Sequence, residues 1–455
     1  MPVRTTGRPA AWILTGLLAV LLVVAAQFLD APGLLERRAS WWRPLVQLPA
    51  HLLLLLSWWQ LGPGYRRPLL AAAIWSVPLL FVLPLHSRDA YSYAAQGWLM
   101  AHGQNPYLVH SGDAGTSGLL VGVHWFETTS VYPSLSLEIF GLVARLFDFH
   151  PYWAAVGMRL PNVVAFVVLA WAVAKLARHY GISRRLAWWW GVANPVLLVQ
   201  WIGGVHNDAL MIAFVAVAAV LMVRRDWWSL ALGGVALGLG MGIKQSAALA
   251  GLGLVAVAWE SRLRAGRRGW WRLLATAVVP GATTILTFVA VSLASGLGFG
   301  WTASTAGNPI SATSNAPLSW VASFGRYHEL AEVETVNATV TAVSMLLMVG
   351  AIVALYVWIG PKGSTPGRPW LFLILSLLTF GALGPALQPW YLTWIIPFYA
   401  FARLRGRWRL AWWLLLAGFT MLPPLQDLMP PYVAMGVVAV PLLGFVWWWR
   451  RRAAE

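Results

Sequence analysis

Apolar runs of about 12–22 residues, separated by short breaks rich in arginine or in glycine and proline, recur from one end of the chain to the other. The first covers residues 11–28 and follows Arg4 and Arg8. It resembles a signal peptide, but no small-x-small cleavage site follows it, so it reads as an uncleaved first span. Further runs lie at 45–61, 69–85, 160–177, 186–202, 208–223, 228–241, 245–259, 273–293, 338–359, 369–383, 391–402, 410–422 and 432–449. A crossing needs roughly 20 residues, so several ends extend past the strict apolar core, and the pattern predicts about fourteen spans. Residues 131–147 (VYPSLSLEIFGLVARLF) are apolar as well, but hold Glu138, Arg145 and an early proline. They read better as a helix lying in the membrane interface.

Composition agrees with this pattern. The apolar set is 59% of the chain and charged residues only 10%, too few to cover a soluble protein of 455 residues. The expectation is one polytopic membrane domain over 1–455, with no soluble domain, repeat or low-complexity tract. There is no cysteine, which removes disulfides, thiolate metal sites and cysteine nucleophiles.

The net charge of +17 is informative once sorted by side. Nucleic-acid binding is the rival reading of so basic a chain, but the positive charges sit in short clusters between apolar runs, as on cytoplasmic helix ends. With residues 131–147 kept out of the membrane, both termini are cytoplasmic and all but eight Lys and Arg fall on that side. The exceptions are Arg37, Arg38, Arg43, Arg88, Arg145, Arg159, Lys244 and Arg326. Arg37, Arg38 and Arg43 read as lipid headgroup ligands, and the tryptophans at 188–190, 227–228 and 447–449 as interfacial anchors. Two long extracytoplasmic stretches result, 86–159 and 294–337. No phosphate-binding glycine loop or dinucleotide fingerprint occurs. The glycines of GVALGLGMG (234–242) lie inside a span and read as close helix packing.

Most acids fall on the outer side: Asp89, Asp113, Glu127, Glu138, Asp148, Asp208, Glu329, Glu332, Glu334 and Asp427. A carboxylate at the hydrocarbon boundary is costly unless solvated or paired, which marks Asp89, beside Arg88 and ahead of Tyr91, Tyr93 and Gln96. The bland alternative is an acid placed at a helix N-terminus.

Ser87-Arg88-Asp89-Ala90-Tyr91-Ser92-Tyr93-Ala94-Ala95-Gln96-Gly97, with Gly103-Gln104-Asn105-Pro106-Tyr107, resembles the first-loop motif of the actinobacterial polyprenol-phosphate-mannose-dependent α-1,6-mannosyltransferases MptA and MptB. Asn105 stands where that pattern has Asp. Gly203-Gly204-Val205-His206-Asn207-Asp208-Ala209-Leu210-Met211 and Gln388-Pro389-Trp390-Tyr391-Leu392-Thr393-Trp394 resemble two further motifs of the family. Tyr132-Pro133 and Arg159-Leu160-Pro161 match a fourth pattern loosely.

The resemblance implies a GT-C fold, an all-α polytopic bundle with interfacial helices in a large first loop. It implies an inverting transfer of mannose from polyprenyl-phosphate-mannose to a lipid-linked mannan of lipomannan type at the outer face of the plasma membrane. Asp89 would be the base, with Lys244, Arg326, His206, Arg159 and Arg88 as candidates for the donor phosphate. Tyr91, Tyr93, Gln96, Asn207, Asp208, Gln388, Trp390, Tyr391 and His328 would contact sugar. No metal, nucleotide or other cofactor is expected, and the partners are the donor lipid, the acceptor and membrane lipids. For Asn207 helix capping is the alternative, and for Trp390 and Tyr391 the aromatic belt. His124-Trp125-Phe126-Glu127 and Arg326-Tyr327-His328-Glu329 read as possible walls of an acceptor groove. A transferase using another polyprenyl-phosphate sugar and a lipid-sugar transporter remain as rivals.

Overall fold

The computed structural model describes residues 9–31, 40–224, 226–266, 269–304, 314–359, 367–384, 386–404 and 406–452. Arg4, Arg8, Arg37, Arg38, Arg225, Arg267, Arg268, Lys362 and Arg405 of the charge pattern lie outside them. Helix is the regular structure of the described residues, which contain no strand. The principal helices are α1 (Pro9–Leu29), α2 (Trp42–Leu61), α3 (Pro68–Ser76), α4 (Asp89–Ala101), α5 (Ser134–Leu146), α6 (Arg159–His179), α7 (Arg184–Gly191), α8 (Asp208–Met222) and α9 (Trp227–Ile243). They continue with α10 (Ala248–Arg264), α11 (Trp270–Ala294), α12 (Pro317–Tyr327), α13 (Val333–Ile359), α14 (Arg368–Leu383), α15 (Arg407–Gln426) and α16 (Pro431–Arg452).

Among the described residues four helices are long and apolar enough to cross a membrane: α1, α11, α13 and the stretch Pro151–His179 that ends in α6. Asp208–Met222, Trp227–Ile243, Arg368–Leu383 and Pro431–Pro441 are apolar but shorter. The periodicity expected continuous helices at three places where the chain breaks. Residues 69–85 form only the nine-residue α3 and one 3-10 turn at Pro78–Leu80. Residues 186–202 end α7 at Gly191, restart at Pro195 and widen into a π-turn at Leu198–Gly203. Residues 391–402 fall in two 3-10 turns and a single α-turn. Pro78, Pro195 and Pro397 each remove a backbone donor, and irregular backbone at such depth is tolerated where protein surrounds it. Every residue from Val192 to Asp208 is buried.

The centre is α8. Its Ala209, Ile212, Val215, Ala216 and Ala219 are all buried, against Leu169, Ala172 and Val173 of α6 in the same core. Outer helices instead turn large apolar side chains outward, such as Leu286 of α11 and Leu346 of α13, as lipid-facing helices do. The glycines of α9 act as expected: a Cβ on Gly234 would collide with Thr283 Oγ1 and the Pro280 carbonyl of α11. That close approach lets Thr284 Oγ1 donate to the Gly234 carbonyl at 3.0 Å.

The run at 131–147 becomes α5, thirteen residues and so about 20 Å long, well short of a hydrocarbon core. It packs on α4, and its Ser136 Oγ donates to the Ile243 carbonyl at the end of α9 at 2.7 Å. A second, smaller core forms here from Tyr93, Phe140, Ala154, Met158 and Val205.

Two expectations of lipid contact are corrected. Arg43 is only 8% exposed and bridges Asp30 at 3.2 Å and Asp427 at 3.1 Å, tying the end of α1 to the end of α15. Trp189 and Trp190 are buried rather than interfacial. Trp58 and Trp189 stack with centroids 4.3 Å apart and exchange two Nε1–H to carbonyl bonds, at 3.0 and 3.1 Å. An indole with its N–H paired to backbone can sit inside the bundle without penalty. Trp227 and Trp228 do remain on the surface.

Candidate active site

Three segments far apart in sequence meet around the second core. Asp89 opens α4, where the helix dipole favours a carboxylate. Its backbone N–H donates to Ser87 Oγ at 3.1 Å. Oδ1 accepts the indole N–H of Trp125 at 3.1 Å, and Oδ2 faces His206 Nδ1 at 3.5 Å. The residue is 6% exposed. Burial pushes its carboxyl upward, but the nearby His206, the Ser87 hydroxyl and the Lys244 charge together hold it below the ordinary value.

His206 reaches Asp89 through a bent turn. Val205 has φ of 62°, a left-handed conformation that costs a β-branched residue of order 1–3 kcal/mol. Two side chains of α6 hold that turn. Arg159 donates through Nε to the Ile202 carbonyl at 2.7 Å and through Nη2 to the Gly203 carbonyl at 3.0 Å. Asn162 Nδ2 donates to the carbonyls of Trp201 and His206, at 2.7 and 3.1 Å. Gly204 must lack a Cβ, which would press on the Gln200 carbonyl and on the His206 ring. His206 is fully buried, its ring stacked on Trp390 with centroids 3.8 Å apart.

The aromatic turn at Pro389–Trp394 leads on to Asp208 and Lys244. Asp208, the first residue of α8, is fully buried and receives the Trp394 indole N–H. Lys244 caps the C-terminal end of α9 and reaches Asp208 Oδ1 and Oδ2 at 3.0 and 3.1 Å. Its ammonium also lies 5.0 Å from the centre of Tyr391 and 5.6 Å from that of Trp394. Each charge sits at the helix end whose dipole suits it. Asn207 makes no capping bond; its Nδ2 donates to Ser136 Oγ at 3.3 Å, while Oδ1 has no protein partner.

The remaining candidates sort clearly. Arg159 is 2% exposed and engages backbone, so it shapes the His206 turn. Gln96 is buried between Ser111 and Ser130, at 3.4 and 3.0 Å. Tyr93 stacks on Phe140 and receives the Tyr132 hydroxyl at 3.3 Å. Both hold α4 in place. Tyr91 is buried in the same core, Arg88 packs its stem over Gly122, and Gln388 is half-buried at the start of the aromatic turn. Arg326 bonds to Asn337 at 2.6 Å and to Ser323 at 3.0 Å, while His328 lies exposed against Phe324. No described contact joins either to Asp89. The sequence reading missed Trp125 and Trp394 as partners of the two acids; Trp394 lay within the third motif, whereas only its neighbourhood to His124 and Glu127 marked Trp125. Among the described residues no group of three or more His, Cys, Asp or Glu is arranged to hold a metal ion.

A helical chain with long apolar helices thus gathers two carboxylates, a lysine, a histidine and four aromatic rings at helix ends. The family model described as alpha-(1->6)-mannopyranosyltransferase, N-terminal domain, matches residues 12–261, more than half of the chain, and the chain belongs to that family. It is 30% identical over 300 residues to alpha-(1->6)-mannopyranosyltransferase A of Corynebacterium glutamicum, covering 61% of this chain and 59% of that one. It is 29% identical over 366 residues to alpha-(1->6)-mannopyranosyltransferase A of Mycobacterium tuberculosis, covering 75% and 67%. For alpha-(1->6)-mannopyranosyltransferase B of C. glutamicum the figures are 26% over 350 residues, 71% and 56%. The chain thus spans 56–67% of the length of these relatives. No solved structure matches it.

Proposed function

We propose that this protein is an inverting mannosyltransferase that moves mannose from polyprenyl-phosphate-mannose to a lipid-linked α-1,6-mannan acceptor of lipomannan or lipoarabinomannan type. The observation that carries the reading is Asp89, a buried carboxyl group at a helix start, flanked by Trp125 at 3.1 Å and His206 at 3.5 Å within the first-loop motif. An acceptor hydroxyl oxygen attacks the anomeric carbon as its proton passes to Asp89. The bond from that carbon to the phosphate oxygen breaks, and polyprenyl phosphate departs with the electron pair. One displacement inverts the centre, so a β-linked donor gives an α-mannoside without a covalent intermediate. Lys244 supports the departing phosphate: Asp208 engages its ammonium, and its three N–H donors allow one more acceptor. The reading assigns no step to a metal or a nucleotide.

The same reading places the chain in the plasma membrane as a multi-pass GT-C bundle of about fourteen spans, some of them broken or short, with both termini cytoplasmic and Asp89 at the outer face. Membranes carrying the protein, supplied with a lipomannan-type acceptor and either polyprenyl-phosphate-mannose, another polyprenyl-phosphate sugar or GDP-mannose, test it. Transfer from the first is expected. Transfer from the nucleotide sugar alone, or movement of the lipid-sugar across the membrane without transfer, overturns it.

A further inference from the structure

We propose that Trp125 is the platform on which the acceptor sugar stacks, an inference that rests on Asp89 acting as the base. Trp125 stands on the one-turn helix Val123–Phe126 in the loop between α4 and α5. It is half-buried, seated beside Ala95, Leu99, Ala114 and Val121. Its Nε1–H donates to Asp89 Oδ1 at 3.1 Å, which fixes the edge of the ring against the carboxylate. Its ring is partly exposed beside that carboxylate, whereas the two tryptophans of the aromatic turn pack on other rings. Trp390 is stacked on His206, and Trp394 is stacked on Tyr391 and on Phe380, with centroids 4.4 and 5.6 Å away.

A pyranose presents a face of C–H groups that packs on an indole and a rim of hydroxyls that seek polar partners. Trp125 offers the apolar face, and its neighbours His124 and Glu127 are exposed and polar. A sugar resting on this ring carries its rim hydroxyls to the edge where Asp89 waits. The indole therefore does two things at once: it holds the base and sets the plane of the nucleophile. The acceptor class it selects is a neutral hexopyranoside, recognised by ring face and hydroxyls, with no requirement for charge on the sugar.

The test uses the full-length protein in nanodiscs with octyl α-D-mannopyranoside as the acceptor probe and polyprenyl-phosphate-mannose as donor. Trp125→Ala should raise the KM for the octyl mannoside about tenfold, the size of one good stacking contact, with the donor KM unchanged. Trp125→Phe keeps a ring and loses the N–H, so the acceptor KM should stay within about twofold of the wild type. Its kcat should fall, and the acid limb of its pH profile should move up. An unchanged acceptor KM in Trp125→Ala, with wild-type turnover intact and Asp89→Asn inactive, overturns the platform while leaving the base in place. A protein that transfers nothing overturns the base reading instead. Saturation-transfer NMR of the octyl mannoside on the same nanodiscs then still decides about Trp125, because the signal should be present in the wild type and lost in Trp125→Ala. Equal signals in the two overturn it.

Discussion

The Asp208–Lys244 pair joins the start of α8 to the end of α9 and should behave as a buried, coupled unit. The ammonium lies 3.0 Å from Oδ1, with side-chain exposures of 14% and 0%. At an effective dielectric near 20 that separation corresponds to an attraction of about 5 kcal/mol. Desolvation of both ions offsets much of it, but removal of one partner leaves the other charged and buried, which typically costs about 3–5 kcal/mol. Lys244→Met leaves the Asp208 carboxylate with the Trp394 indole and no cation; Asp208→Asn leaves Lys244 over the aromatic rings with no counter-charge. Each single variant should lose about 3–5 kcal/mol of stability, and the double variant much less than the sum, with a coupling of about 2 kcal/mol or more. Unfolding of purified protein in dodecylmaltoside titrated with dodecyl sulfate, followed by far-UV circular dichroism, measures all four corners of this cycle. Additive losses would refute the reasoning, since they would mean that the two side chains do not stabilise each other.

Other expectations follow from the same geometry. His206→Ala removes the group that does most to hold the Asp89 carboxyl low and leaves burial unopposed by it, so the acid limb of the kcat profile should shift toward neutral pH; an unmoved limb would separate His206 from the base. A base works deprotonated, so the wild type should keep its activity down to pH values near the ordinary carboxylate range. Gly234→Ala should lose about 1–3 kcal/mol in the same unfolding assay by pushing α9 off α11, and a neutral result would contradict the close packing. Because the chain has no cysteine, single cysteines report topology cleanly. A membrane-impermeant maleimide should label Glu127→Cys in intact cells and Arg178→Cys only after permeabilisation; labelling of both in intact cells would put the crossing parity of α5 in error.

Much of the bundle was legible because apolar runs and glycine patterns act locally. The α1 run, the α11 and α13 runs and the α9 glycines appear where periodicity put them. The breaks at Pro78, Pro195 and Pro397 were visible as residues but not as consequences, since a proline in an apolar stretch is compatible with either a kink or a stop. Motif residues marked Asp89, His206, Asp208 and Trp390, yet their roles depended on contacts across more than a hundred positions. Arg159 shows why. Its charge suggested a phosphate, and only the structure shows that Nε and Nη2 also hold the carbonyls of Ile202 and Gly203, while Nη1 has no partner among the described residues. Arg43 and Trp189 were assigned to lipid for the same reason, because side counting cannot see a buried partner.

Single-turnover transfer in nanodiscs tests the central claim most directly. Wild-type protein and Asp89→Asn, which keeps the size of the side chain and an oxygen for the Trp125 N–H, are loaded with polyprenyl-phosphate-mannose and acceptor. The product linkage is then read by NMR. The account predicts an α-1,6-mannoside from the wild type and a rate lower by about 10²–10⁴ in Asp89→Asn, with donor binding preserved. Transfer by Asp89→Asn at the wild-type rate, with the same linkage, would contradict it.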